Sequence, residues 1–165
     1  MKVPTAFQSL ESGRSVNKMI FKNLNNKVEI DVKIEEDEIP FKGDVYLSVQ
    51  VESNGFICHN ELWIFKEEFD SFVQALIELE EKRKGEAVLT SISPNELELK
   101  VHSVTNRGHI AIVGKTGLRV FDQEKSFQHS LEFGFQFDAS QLLEVLKELK
   151  EMKQNEKYRN QLREW

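Results

Sequence analysis

Val45-Tyr46-Leu47-Ser48-Val49-Gln50-Val51, then Asn54-Gly55, then Phe56-Ile57-Cys58-His59-Asn60-Glu61-Leu62-Trp63-Ile64-Phe65, places two extended segments about one tight turn. The first segment alternates Val45, Leu47, Val49 and Val51 with Tyr46, Ser48 and Gln50, as a strand with one buried face requires. Asn-Gly is the dipeptide best suited to the positive φ angles of a two-residue hairpin turn. An antiparallel pair is therefore expected over residues 45–65.

The same period appears upstream, where Val28, Ile30, Val32 and Ile34 alternate with Glu29, Asp31 and Lys33. Between these strands lies an acidic loop, Glu35-Glu36-Asp37-Glu38, with Pro40 and Gly43. Residues 1–26 hold only a short apolar patch at Met19, Ile20 and Phe21, and are read as a loosely ordered lead-in to a single domain over 27–165.

Downstream the period changes. Phe69, Phe72, Val73, Leu76, Ile77 and Leu79 recur at helical spacing over 67–84, with acids at the start and Lys82-Arg83-Lys84-Gly85 at the end, which suits the helix dipole and a glycine cap. Strands are expected again over 86–92, 95–101 and 109–113, with turns at Ser93-Pro94-Asn95 and Asn106-Arg107-Gly108. Residues 114–128 read as a polar connection carrying a short strand at 118–121. Leu131, Phe133, Phe135 and Phe137 then alternate with polar residues, and Asp138 with Gln141 has the capping-box spacing ahead of a second helix carrying Leu142, Leu143, Leu146, Leu149 and Met152. Tyr158, Leu162 and Trp165 lie on its extension, placed to dock on the body or on another subunit.

His59 to Phe65 and His129 to Phe135 echo one another at an offset of 70 (129 − 59), and the helices follow at the same offset. The expected fold is therefore α+β: an antiparallel sheet of about six or seven strands with two helices packed on it, in two strand-strand-helix halves.

Composition bounds the function. The chain has 165 residues, 39% hydrophobic and 30% charged, enough for one core. Its formal net charge is −6, so its average surface repels nucleic acid and anionic lipid and attracts basic proteins. No apolar run is long enough to span a bilayer and the first 13 residues lack a secretory apolar centre, so a cytoplasmic location is expected. One cysteine, Cys58, excludes an internal disulfide and a multi-cysteine metal site.

Catalytic readings are weak. Gly114-Lys115-Thr116 has the end of a phosphate loop, but the earlier glycine would fall at His109, and no helix pattern opens at Thr116. A turn is expected there instead. His59, His102, His109 and His129 show no chelating spacing; His59 and His129, equivalent in the echo, are the one pair with a prospect of facing each other. Trp63, Phe65, Phe133, Phe135 and Phe137 are assigned to the core because they alternate with polar residues. No catalytic residue, metal or cofactor is expected. Glu35, Glu36, Asp37 and Glu38 are the candidate contact patch for a basic partner, set in a loop between strands.

Five segments also carry a family likeness: Gly43-Asp44-Val45-Tyr46-Leu47-Ser48-Val49, Gly85-Glu86-Ala87-Val88-Leu89, Glu96-Leu97-Glu98-Leu99-Lys100-Val101, Arg107-Gly108-His109-Ile110 and Leu131-Glu132-Phe133-Gly134-Phe135-Gln136-Phe137-Asp138. In this order, over about 28–149, they resemble the bacterial WapI-type immunity proteins that accompany contact-dependent toxins. The resemblance implies a non-catalytic cytoplasmic antitoxin. Its partner would be the basic C-terminal domain of a toxin, in the named case a nuclease acting on transfer RNA. The competing expectation is a non-catalytic adaptor that pairs with another protein or with itself as a homodimer.

Overall fold

The computed structural model describes the backbone of residues 17–36 and 40–163 and the side chains as far as Lys157. In chain order the elements are β1 (Asn17–Lys22), β2 (Asn26–Ile34), β3 (Val45–Ser53), β4 (Phe56–Ile64), α1 (Lys66–Lys82), β5 (Glu86–Thr90), β6 (Leu97–Ser103), β7 (Ile110–Asp122), β8 (Lys125–Phe137) and α2 (Ser140–Arg163). The α+β class and the two helices are as expected. The sheet is different: the strands form two four-stranded antiparallel sheets, β1-β2-β3-β4 and β5-β6-β7-β8, eight strands among the described residues.

One reading accounts for the undercount and a second for the length of the last two strands. Residues 17–22, assigned to the lead-in, form β1, which pairs with β2 through Met19↔Ile30 and Phe21↔Val28. Met19 and Phe21 are both 0% exposed. The intervening Asn23-Leu24-Asn25 is a turn held by its own side chain, because Asn23 Oδ1 accepts from the Asn25 amide at 3.1 Å and from Asn26 Nδ2 at 2.9 Å. The rest of the lead-in, residues 1–16, lies outside the described residues.

The second reading is the connection over 114–128, which is continuous strand. Gly114, Lys115 and Thr116 lie in the middle of β7, opposite Phe133, Glu132 and Leu131. They are therefore neither a phosphate loop nor a turn. Gly114 is required by packing, since a Cβ there would sit 2.6 Å from Phe133 Cζ and 2.9 Å from the Glu98 carbonyl oxygen. The actual turn joins Asp122 to Lys125, with Gln123 at φ 54. The Asn54-Gly55 turn forms as its residue types require, with φ of 48 and 89.

Each sheet is followed by a helix, and the two helices close the core crosswise. α1 packs on β5, α2 packs on β1, and the helices touch each other. Phe69, Phe72, Val73, Leu76 and Leu79 form the buried stripe of α1, while α2 contributes Leu142, Val145, Leu149 and Met152. Together with the inner faces of both sheets they make one contiguous apolar cluster.

The helix ends depart from the expected caps. α1 ends on Arg83, not Gly85. Arg83 takes the left-handed conformation at φ 54 and its amide donates to the Leu79 carbonyl, while Nε donates to the Glu80 carbonyl at 2.9 Å. At its start, the Lys66 amide donates to Asp44 Oδ1 at 3.1 Å, so a carboxylate from the loop before β3 caps α1.

Asp138 does cap α2, accepting from the Ser140 amide at 2.8 Å and the Ser140 hydroxyl at 2.6 Å. Gln141 does not complete the capping box. Its Oε1 accepts from the Lys22 amide and its Nε2 donates to the Lys22 carbonyl, both at 2.8 Å. The side-chain amide thereby imitates a neighbouring strand and satisfies the outer edge of β1.

Candidate protein-binding face

Alternation along β3 and β4 sends one set of side chains inward and the other to solvent. The outward set forms cross-strand pairs Tyr46↔Trp63, Ser48↔Glu61, Gln50↔His59 and Glu52↔Ile57. Two of these eight residues are acids and none is lysine or arginine. Leu62 and Ile64 are buried, so Trp63 between them must point out. Trp63 is 36% exposed and Phe65 is also exposed, which corrects their assignment to the core; Phe133, Phe135 and Phe137 are buried as expected. Trp63 and Phe133 were matched by an echo at an offset of 70. The buried helical positions instead repeat at 73 (142 − 69), which carries Phe69, Phe72, Leu76 and Leu79 onto Leu142, Val145, Leu149 and Met152. An offset wrong by an odd number exchanges the two faces of a strand.

The exposed indole is held in an aromatic group. Tyr46 meets Trp63 edge to face at 5.1 Å between centroids, and Phe41, from the loop before β3, meets it at 6.4 Å. The Glu61 carboxylate lies near the Tyr46 phenol. Burial, with the bond to Glu61 and its charge, pushes the Tyr46 phenol up to about 12. Glu61 and Trp63 are two residues apart on β4 and so share a face: a carboxylate and an exposed aromatic ring are neighbours there.

The other half of this sheet face carries lysines among its carboxylates, and Lys33 of β2 stands opposite Tyr46. Lys18 Nζ lies 2.7 Å from Glu29 and 3.7 Å from Asp31, and Lys27 Nζ lies 2.5 Å from Glu29. The two lysines hold the Glu29 carboxyl below its ordinary range.

The acidic loop is adjacent. Glu35 leaves β2 with its amide donating to the Asp44 carbonyl at 2.9 Å and its carbonyl accepting from Gly43 at 2.7 Å. Glu35 and Glu36 line a shallow depression with Lys42, Gly43, Lys66 and Glu156. Asp37 and Glu38 lie outside the described residues.

The histidines have separate partners. His59 Nε2 lies 2.9 Å from Ser48 Oγ on the outer face of β3–β4, and His129 stands opposite Leu118 on β8. His109 Nδ1 lies 3.0 Å from Thr105 Oγ1 and His102 Nδ1 lies 3.2 Å from the Ser103 carbonyl oxygen. Among the described residues, no three of His, Cys, Asp and Glu converge as metal ligands would.

One residue that sequence reasoning passed over joins the two sheets. Asn60 is buried, and its Nδ2 donates to the Gly117 carbonyl at 2.7 Å, to Thr116 Oγ1 at 3.2 Å and to the Glu96 carbonyl at 3.3 Å. Its Oδ1 accepts from the Glu61 amide at 3.0 Å. An amide at an inward position of a strand was the available signal, since a buried polar group must find partners. Because Asn60 also bonds the Glu61 amide, this joint anchors the backbone beneath the outer face.

The immunity protein WapI-like family model matches this chain over residues 19–155. The chain belongs to that family. The match begins inside β1 and ends inside α2, so it spans both sheets. Neither a curated protein nor a solved structure matches the chain. WapI-like immunity proteins act in toxin neutralisation in general. No helix among the described residues is long and apolar enough to cross a membrane.

Proposed function

We propose that this WapI-like protein is a cytoplasmic, non-catalytic antitoxin that binds the basic catalytic domain of a cognate toxin, a nuclease, and blocks its substrate cleft. One observation carries the reading: the outer face of β3–β4 presents two carboxylates, two aromatic rings and no lysine or arginine. A nuclease cleft must be basic to hold phosphates, and an anionic, partly apolar face can replace that substrate. Opposite charges steer the encounter and aromatic side chains supply the buried anchors.

The test mixes the purified protein with the toxin domain encoded beside it and follows both complex formation and cleavage of transfer RNA. A stoichiometric complex that weakens as salt rises, with cleavage suppressed in proportion to complex, is expected. Absence of a complex at low salt defeats the proposal.

A second reading is self-association or adaptor binding. Its support is the outer part of β7–β8, which exposes Leu118, Val120 and Phe127 on one face and Phe121 on the other. Exposed apolar side chains grouped in this way mark contact surfaces. Light scattering across a range of concentrations decides it: a constant monomer mass removes the homodimer.

A further inference from the structure

The face over β3–β4 has a more specific chemistry than negative charge. Glu61 is an exposed carboxylate on the same face as Trp63 and close enough to Tyr46 to raise its phenol. Asn60 Oδ1 accepts from its backbone amide at 3.0 Å, which anchors the strand beneath it. Trp63 is fixed by Tyr46 and Phe41 at 5.1 and 6.4 Å while remaining 36% exposed. A carboxylate accepts from planar paired N–H donors, and an indole face attracts a delocalised cation lying flat on it. Guanidinium satisfies both requirements together, whereas an ammonium is a compact, strongly hydrated point charge that gains less from stacking.

We infer that Glu61 and Trp63, ordered by Tyr46 and Phe41, form a seat for one arginine side chain of the protein partner. This rests on the antitoxin reading for the partner's nature, and it deepens that reading by naming the group captured. Charge favours a cation as occupant: Glu52 and Glu61 are the charged carboxylates among the eight outward residues of β3–β4, and the cation nearest the aromatic group is Lys33, opposite Tyr46 on β2. On the neighbouring strands Glu29 is already paired with Lys18 and Lys27, and Asp31 lies 3.7 Å from Lys18. Aromatic and arginine side chains are the residues that most often dominate binding energy at interfaces.

The test needs no knowledge of the toxin. Tetra-arginine and tetra-lysine peptides are titrated into protein carrying Trp165→Phe, so that Trp63 is the one remaining tryptophan, with fluorescence and amide chemical shifts followed together. Tetra-arginine is expected to change Trp63 fluorescence saturably and to shift the amides of Tyr46, Glu61 and Trp63. It should bind more tightly than tetra-lysine by about 5-fold or more, since stacking adds to equal charge. Glu61→Gln, which keeps the shape, is expected to weaken tetra-arginine about 10-fold. Trp63→Leu is expected to remove the preference for arginine over lysine.

Equal binding of the two peptides, shifts confined to the acidic loop or to β7–β8, or no saturable response overturns the seat. The toxin complex separates the two ideas. If Trp63→Leu and Glu61→Gln, folded by their spectra, bind the toxin as well as the parent does, the seat is wrong and the antitoxin reading stands. If the parent fails to bind toxin while the peptide preferences appear as expected, the seat stands and that reading falls.

Discussion

The two halves of the chain follow one plan, four antiparallel strands and a helix, yet their last hairpins end differently. β3 and β4 are nine residues each and turn at Asn54-Gly55; β7 and β8 are thirteen each and turn beyond Asp122. Their outer faces differ as well. β3–β4 shows Tyr46, Trp63, Glu52 and Glu61 without a lysine or arginine, while β7–β8 shows Arg119 and the pair Lys115–Glu132 at 3.8 Å. At the point where the sheets meet, the first half supplies a buried amide, Asn60, and the second supplies the carbonyl of Gly117 and the hydroxyl of Thr116. Common architecture therefore accounts for the core, and the differences account for the candidate interface. Repetition builds the scaffold, and departures from it carry recognition.

That comparison breaks most visibly in the helices. Leu76 of α1 and Leu149 of α2 occupy equivalent buried positions, at 0% and 2% exposure. Leu76→Ala and Leu149→Ala are each expected to cost about 2–5 kcal/mol in chemical denaturation, because each leaves a cavity in a shared core. Transitions that separate into two steps would show instead that the halves unfold independently.

The joint between sheets comes next in size. Asn60→Ala leaves the Gly117 carbonyl and the Glu61 amide without their buried partner, and a loss of about 1–3 kcal/mol is expected by denaturation. Gln141→Ala, which strips only the edge of β1, should cost less, about 0.5–1.5 kcal/mol. The reverse order would mean that the crosswise helix contact, and not the sheet joint, ties the halves.

Charge on the first sheet gives a smaller effect with a defined pH dependence. Lys18 and Lys27 lower the Glu29 carboxyl below its ordinary value of 4.5. A depressed carboxylate contributes stability that is present above pH 4.5 and disappears as pH falls through the lowered folded value. Lys18→Ala should therefore reduce stability by up to about 1 kcal/mol near neutrality and leave acidic midpoints unchanged. Thermal melts across that range measure it.

Tyr46 supplies the matching alkaline readout. Its raised phenol should ionise at about 12 in place of 10, so its contribution to stability is complete below pH 10 and is lost as pH rises through 12. The ultraviolet difference between the parent and Tyr46→Phe should show the late tyrosinate step. A step near 10 would dissolve the ordered setting proposed for Glu61.

The smallest stability effect is expected from trimming β7–β8 to the length of β3–β4, with Asn-Gly replacing residues 119–128. The side chains removed are exposed, so the melting temperature should barely move. Loss of a dimer on trimming would assign self-association to this arm, and loss of toxin binding with the core intact would move the interface away from β3–β4.

Much of the layout was legible before any coordinates. Strict alternation in Val28 to Ile34 and Val45 to Val51 identifies β2 and β3. Helical spacing from Phe69 to Leu79 identifies α1, and Asn54-Gly55 identifies the turn between β3 and β4. These signals are local, so they survive in the one-dimensional string. β1 was missed because six residues offer only two inward positions, Met19 and Phe21. The outer part of β7–β8 was missed because Gly114, Gly117 and the exposed Leu118 to Phe127 segment lack an alternating burial signal. Glu35 and Glu36 stand in the loop that follows β2, whereas the Trp63 side chain lies on the outer face and not, as its alternation suggested, in the core.

By itself, the sequence determined the α+β class, the antiparallel hairpins, the two amphipathic helices and the acidic balance that favours a basic partner. All of these depend on neighbours a few residues apart. Only the tertiary structure decided that the strands divide into two sheets, that each helix closes on the opposite sheet, and that Asn60 joins them. It alone brought Phe41 and Tyr46 onto Trp63 beside Glu61. The physical reason is that strand pairing and side-chain contact across a core bring together residues distant in the chain, through hydrogen bonds and packing that no local period encodes.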